Sequence, residues 1–87
     1  MSAIEILNSF NLTSERLNYS ERVINDQYTA VEILDLSGKI LFREYYYIVD
    51  TKKNLVYLAD FKEPDAVFIA KIERGTVKAH ATEPVSA

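Results

Sequence analysis

Cysteine is absent from the 87 residues, which excludes a disulfide, a thiolate metal site and a cysteine nucleophile, and fits a reducing compartment. Glycine occurs only at Gly38 and Gly75, each among turn residues, so no glycine-rich loop cradles a phosphate and no dinucleotide fingerprint is present. The single histidine, His80, cannot build a multi-histidine metal site. The serines Ser2, Ser9, Ser14, Ser20, Ser37 and Ser86 lie in the N-terminal part, a tight turn or the tail, and none stands in a nucleophile-elbow context. Met1-Ser2-Ala3-Ile4-Glu5 lacks the basic and apolar regions of a secretory leader, and no apolar run approaches the ~18 residues of a membrane span. Without a leader, the acceptor-like triplets Asn11-Leu12-Thr13 and Asn18-Tyr19-Ser20 carry no weight as glycosylation sites. The expectation is a cytoplasmic chain with no cofactor and no membrane association.

A hydrophobic share of 48% with 26% charged residues is globular composition, far from the regime of disordered chains. Eighty-seven residues make one domain with one modest core. Thirteen acidic against ten basic residues leave a net charge of −3, which argues against an electrostatic grip on nucleic-acid phosphates.

Local patterning divides the chain into a helix over 1–11, a link or edge strand over 12–27, a β-meander over 28–81 and a tail over 82–87. Ser2 and Glu5 have the spacing of a capping box, with Met1 and Ile6 placed for the accompanying staple. Ala3, Ile6, Leu7 and Phe10 recur on one helical face, and Asn11 is a reasonable stop. Residues 12–27 suit either a helix or a strand, with the strand or irregular link favoured, and Asn25-Asp26-Gln27 marks a turn.

From Tyr28 the alternation is strand-like. Ser37-Gly38 reads as a two-residue hairpin that sets Glu32 opposite Arg43, Ile33 opposite Phe42 and Leu34 opposite Leu41. Leu55 to Phe61, Ala66 to Glu73 and Thr76 to His80 read as three more strands, separated by turns at Pro64 and Gly75. The fold expected is α+β: a short N-terminal helix packed on a five-stranded antiparallel meander, with curling toward a small barrel as one way of closing it.

That register sorts the sheet into two faces. Val31, Ile33, Ile40, Phe42, Ile48, Leu55, Tyr57, Phe61, Phe68, Ile72 and Val77 form a core face that Ile6, Leu7 and Phe10 cover. The opposite face carries Tyr28, Tyr45, Tyr47, Val49, Leu58 and Ile69 beside Glu32, Arg43 and Lys71, too apolar for an ordinary solvated surface. It is buried by strand closure, by residues 12–27 or by another molecule.

Tyr45-Tyr46-Tyr47 is the most conspicuous run, and tyrosine suits an interface anchor because it joins a large apolar body to a polar tip. Ordinary strand tyrosines are the plain alternative. The partner-binding candidates are Tyr45, Tyr47, Arg43, Leu58, Ile69 and Tyr28, with Arg43 fixing orientation. No pair of carboxylates is brought together by local spacing, and no metal or catalytic site is expected.

The function expected is a non-catalytic module that binds a larger protein. Small, acidic and cysteine-free describes many inhibitors, immunity proteins, antitoxins and phage accessory proteins, which is an association and not a physical derivation. The alternatives are a structural subunit of a homo-oligomer such as a homodimer, and a binder of single-stranded nucleic acid or a small ligand, which the acidity weighs against.

Overall fold

The structure, a computed structural model, describes residues 2–13, 17–34, 37–39 and 44–80. Helix α1 (Ala3–Ser9) is closed at both ends by its own flanking residues. The Ser2 Oγ accepts the Glu5 amide at 3.2 Å, and the Ser2 amide donates to Glu5 Oε1 at 3.3 Å. Both bonds favour the ionised carboxylate, so they lower the Glu5 pKa, the bond from the Ser2 backbone most of all. The staple on Met1 lies outside the described residues. At the other end Asn11 adopts a left-handed φ of 61°. The Leu12 amide then donates to the Leu7 carbonyl at 2.9 Å and the Asn11 amide to that of Asn8 at 3.0 Å, a Schellman closure.

Strands β1 (Asn18–Val23), β2 (Tyr28–Leu34), β3 (Tyr45–Asp50) and β4 (Leu55–Asp60) form an antiparallel sheet in the order β1-β2-β3-β4. The sheet is open, with β1 and β4 at its edges, so it does not curl into a barrel. The β1–β2 turn is built on Asn25, whose Oδ1 accepts the amides of Gln27 and Tyr28, each at 2.8 Å. The β3–β4 turn is built on buried Asp50. Its Oδ1 accepts the amides of Lys52 and Lys53 at 3.0 and 2.9 Å, and its Oδ2 accepts Gln27 Nε2 at 2.9 Å.

The expectation of five strands is corrected: among the described residues there are four, and the segment read as the fourth is a helix, α2 (Asp65–Glu73). Its run Ala66-Val67-Phe68-Ile69-Ala70 satisfies a strand pattern as well as a helical one, because a short continuous apolar stretch has no distinctive period. Phe68, Ile69 and Ile72, spaced for one helical face, are what it packs inward. Gly75 ends the helix at φ 75°, with the Thr76 amide bonded to the Lys71 carbonyl and the Gly75 amide to that of Ile72, both at 3.0 Å. The glycine read as a strand turn is thus the left-handed terminus of a helix.

Thr76 to His80, expected as a fifth strand, is not one. The segment places Val77 and Ala79 against the α2-side core and meets β4 through one bond, from the His80 amide to the Val56 carbonyl at 2.6 Å.

The hairpin register also differs. Tyr28 lies opposite Asp50, where a two-residue loop at Ser37-Gly38 would have set it opposite Tyr47, a slip of three residues (50 − 47). An odd slip exchanges the faces. Tyr47 therefore shares a side with Val31, while Tyr28 shares the other with Ala30 and Ile48. Ile33, Leu34 and Glu32 are matched with Tyr19, Asn18 and Ser20 on β1. Their expected partners Leu41, Phe42 and Arg43 lie outside the described residues.

Each side of the sheet carries one helix, packed over strands β2 to β4. Ile6, Leu7 and Phe10 of the α1 segment pack on Val31, Ile33, Tyr47, Val49 and Val56. Phe68 and Ile69 of α2 pack on Tyr28, Ala30, Tyr46, Ile48, Tyr57 and Ala59. The face expected to need a second cover is therefore split: Tyr47 and Val49 lie beneath α1, Tyr45 and Leu58 stay exposed, and only Tyr28 joins the side that α2 covers, a helix that was none of the expected covers.

Candidate functional site

The six candidate binding residues do not form one surface. Tyr28, Tyr47 and Ile69 are buried, the first and last in the α2-side core and Tyr47 beneath α1. Arg43 lies outside the described residues. Tyr45 and Leu58 remain in solvent at 46% and 36% exposure.

These two are neighbours because of the β3–β4 register. Tyr45 is matched with Asp60 and Tyr47 with Leu58, so Leu58 sits diagonally from Tyr45 on the α1 side of the sheet. Just past β4, Phe61 is held by its own amide, which donates to the Glu44 carbonyl at 3.2 Å and continues the same ladder. Its ring stays 36% exposed and lies 5.2 Å from that of Tyr46, centroid to centroid. Glu44, Tyr45, Asp60, Phe61 and Lys62 line an open groove of about 300 Å³. Lys62 is oriented from the backbone, its amide donating to Asp60 Oδ1 at 2.8 Å.

Two half-exposed aromatic rings, Tyr45 and Phe61, thus lie in one groove with two carboxylates and an ammonium. Aromatic anchors ringed by polar groups are the usual anatomy of an interface centre, and ring faces beside carboxylates suit a partner's apolar or cationic side chain. Among the described residues no group of three or more His, Cys, Asp or Glu is placed to hold a metal ion, and no helix is long and apolar enough to cross a membrane.

Known proteins add no assignment. No family model matches the chain, and neither curated proteins nor solved structures match it.

Sequence reasoning placed Phe61 on the core face and so missed it as part of this groove. Its neighbours Lys62-Glu63-Pro64 were the available signal, because a residue entering a solvated turn is poorly placed for full burial. A second group that it missed has no local signal at all. Arg22 on β1, Tyr46 on β3 and Asp65 at the start of α2 meet on the α2 side, where Asp65 accepts hydrogen bonds from both the Arg22 guanidinium and the Tyr46 hydroxyl. Arg22 also lies 5.7 Å above the Tyr46 ring. Burial first, and then the bond to Asp65, drive the Tyr46 pKa far above its ordinary value. This cluster ties three elements together and keeps its polar atoms engaged with one another.

Proposed function

We propose that the protein is a non-catalytic binding module that acts by docking onto a larger protein through Tyr45, Leu58 and Phe61. The observation that supports this reading is the exposure of Tyr45 and Phe61 along one groove at the end of the β3–β4 ladder, with exposed Leu58 diagonal to Tyr45 on the α1 side. Tyr45 is the anchor, Leu58 and Phe61 extend the apolar contact, and Glu44 and Asp60 at the rim orient a partner with basic character. Binding at such a surface acts by occlusion or assembly, as an inhibitor or other accessory factor does.

The test is affinity capture from the native cell extract, with and without nuclease, comparing wild type with a Tyr45→Glu/Leu58→Glu variant whose fold is verified by circular dichroism. Substitution of Tyr47, which is buried, would report on stability and is avoided. A nuclease-resistant protein retained by wild type alone supports the reading. Identical proteins on both baits refute it.

The second reading is a homo-oligomer that uses the same patch isologously. Light scattering distinguishes it by a dimer that the same double variant splits.

A further inference from the structure

Strand β1 is the barest part of the fold: all of its residues, Asn18–Val23, are exposed. Its backbone polarity follows from the ladders. The Ile24 amide donates to the Tyr28 carbonyl at 3.0 Å, extending the β1–β2 register by one step beyond Val23 opposite Thr29. Antiparallel strands alternate hydrogen-bonded and non-hydrogen-bonded pairs. Arg22 and Ser20 therefore turn their N–H and C=O toward β2, and Tyr19, Glu21 and Val23 turn theirs away from the sheet. The other side of β2 gives the same parity. The Thr51 amide bonded to the Gln27 carbonyl at 2.8 Å assigns Thr29 and Val31 to β3 and leaves Tyr28, Ala30 and Glu32 for β1.

The side chains of these three outward residues share one side, since they alternate with Ser20 and Arg22. Tyr19 is 46% exposed, Val23 is 73% exposed, and Glu21 between them has no ion pair among the described residues. The strand carries no proline or bulge to blunt the edge, and the charge of Glu21 is the one such device among the three outward residues. On the other side the one charge, Arg22, is already engaged by Asp65.

We propose that β1 is a docking edge for an extended segment of another protein, with a lysine or arginine opposite Glu21 and apolar residues two positions to either side, opposite Tyr19 and Val23. Main-chain bonds to the three outward residues supply the affinity, and the apolar-x-basic-x-apolar pattern supplies the selection. The pattern reads the same in both strand directions. A second copy of the chain is the poorer occupant. The twofold register that uses all three outward residues sets Glu21 opposite Glu21, and like charges directly opposite each other destabilise a ladder. This surface is separate from the Tyr45 groove, and the inference stands or falls independently of it.

The probe is a short capped peptide with a central lysine flanked at two-residue spacing by valines on a threonine background, titrated into the isotope-labelled full chain. Amide exchange at Tyr19, Glu21 and Val23 should slow by about ten-fold or more, with Ser20 and Arg22 unchanged. A peptide with glutamate in place of the lysine should bind roughly three- to ten-fold more weakly, and Glu21→Lys in the chain should reverse that preference. The Tyr45→Glu/Leu58→Glu variant should bind the peptide as wild type does, so that loss of the groove and loss of the edge are read apart. The inference is overturned by unaltered β1 amides at saturating peptide or by equal affinity for the two peptides. It is equally overturned if the three amides are protected without peptide in a chain that scatters light as a dimer, which would assign the edge to a second copy.

Discussion

Arg22 and Asp65, 43 positions apart in the chain, form a forked ion pair, with Nε 3.1 Å from Oδ2 and Nη2 3.0 Å from Oδ1. The pair joins the outermost strand to the first turn of α2, and Asp65 also accepts the Tyr46 hydroxyl. Arg22 is half exposed, so its share is that of a surface pair, below about 1 kcal/mol. Asp65→Ala also strips the part-buried Tyr46 hydroxyl of its acceptor, which costs roughly 1–3 kcal/mol. Urea denaturation should therefore rank Asp65→Ala as clearly more destabilising than Arg22→Ala. Equal losses would mean that the tyrosine bond contributes nothing.

Phe10 is the last inward residue of the α1 segment and is buried against the sheet. Its replacement by alanine leaves a cavity in the core between α1 and the sheet and should cost about 3–5 kcal/mol. A melting temperature equal to that of wild type would show that α1 does not hold its place on the sheet.

Gly75 has a left-handed φ of 75°, and a Cβ built there meets nothing within 4 Å. Any penalty for Gly75→Ala is then a backbone penalty, roughly 1–2 kcal/mol. Gly75→Asn should recover part of it, since asparagine tolerates the same conformation, as Asn11 does at the end of α1. Chemical denaturation of the two variants measures the difference, and identical stabilities would remove the helix terminus as the cause.

Tyr28, Tyr46, Tyr47 and Tyr57 all have pKa values raised above the ordinary 10.0, with burial as the main cause in each. Asp50 adds to the effect at Tyr28 and Tyr57, and the bond to Asp65 adds to it at Tyr46. A folded-state value above the unfolded one means that these phenols hold their protons longer in the fold. Their stabilisation is complete below pH 10.0 and is lost as pH rises through the folded-state values. The denaturation midpoint should fall along the alkaline limb together with the rise in phenolate absorbance. Tyr47→Phe should flatten that fall, and a midpoint indifferent to alkali would contradict it.

The sequence by itself determined the features whose causes are local. Ser2 and Glu5 cap α1 within four residues of chain, Asn11 stops it, and Ala3, Ile6, Leu7 and Phe10 mark its buried side. Strands at Tyr28, Tyr45 and Leu55 follow from alternation and turn residues, and the chain has apolar residues enough for two sheet faces, although the residues assigned to each face were exchanged. The tertiary structure alone decided what provides that cover. Residues 66–70 fit a helix and a strand equally well, and the choice fell to the side that Tyr28, Ile48 and Tyr57 left bare, because one docked helix buries it where a further strand would extend it. The same holds for register. A slip of three residues between β2 and β3 changes no local pattern but moves Tyr45 and Tyr47 to the α1 side, since the side-chain period of two converts any odd shift into an exchange of faces, and there Tyr47 is buried while Tyr45, the first residue of β3, stays exposed.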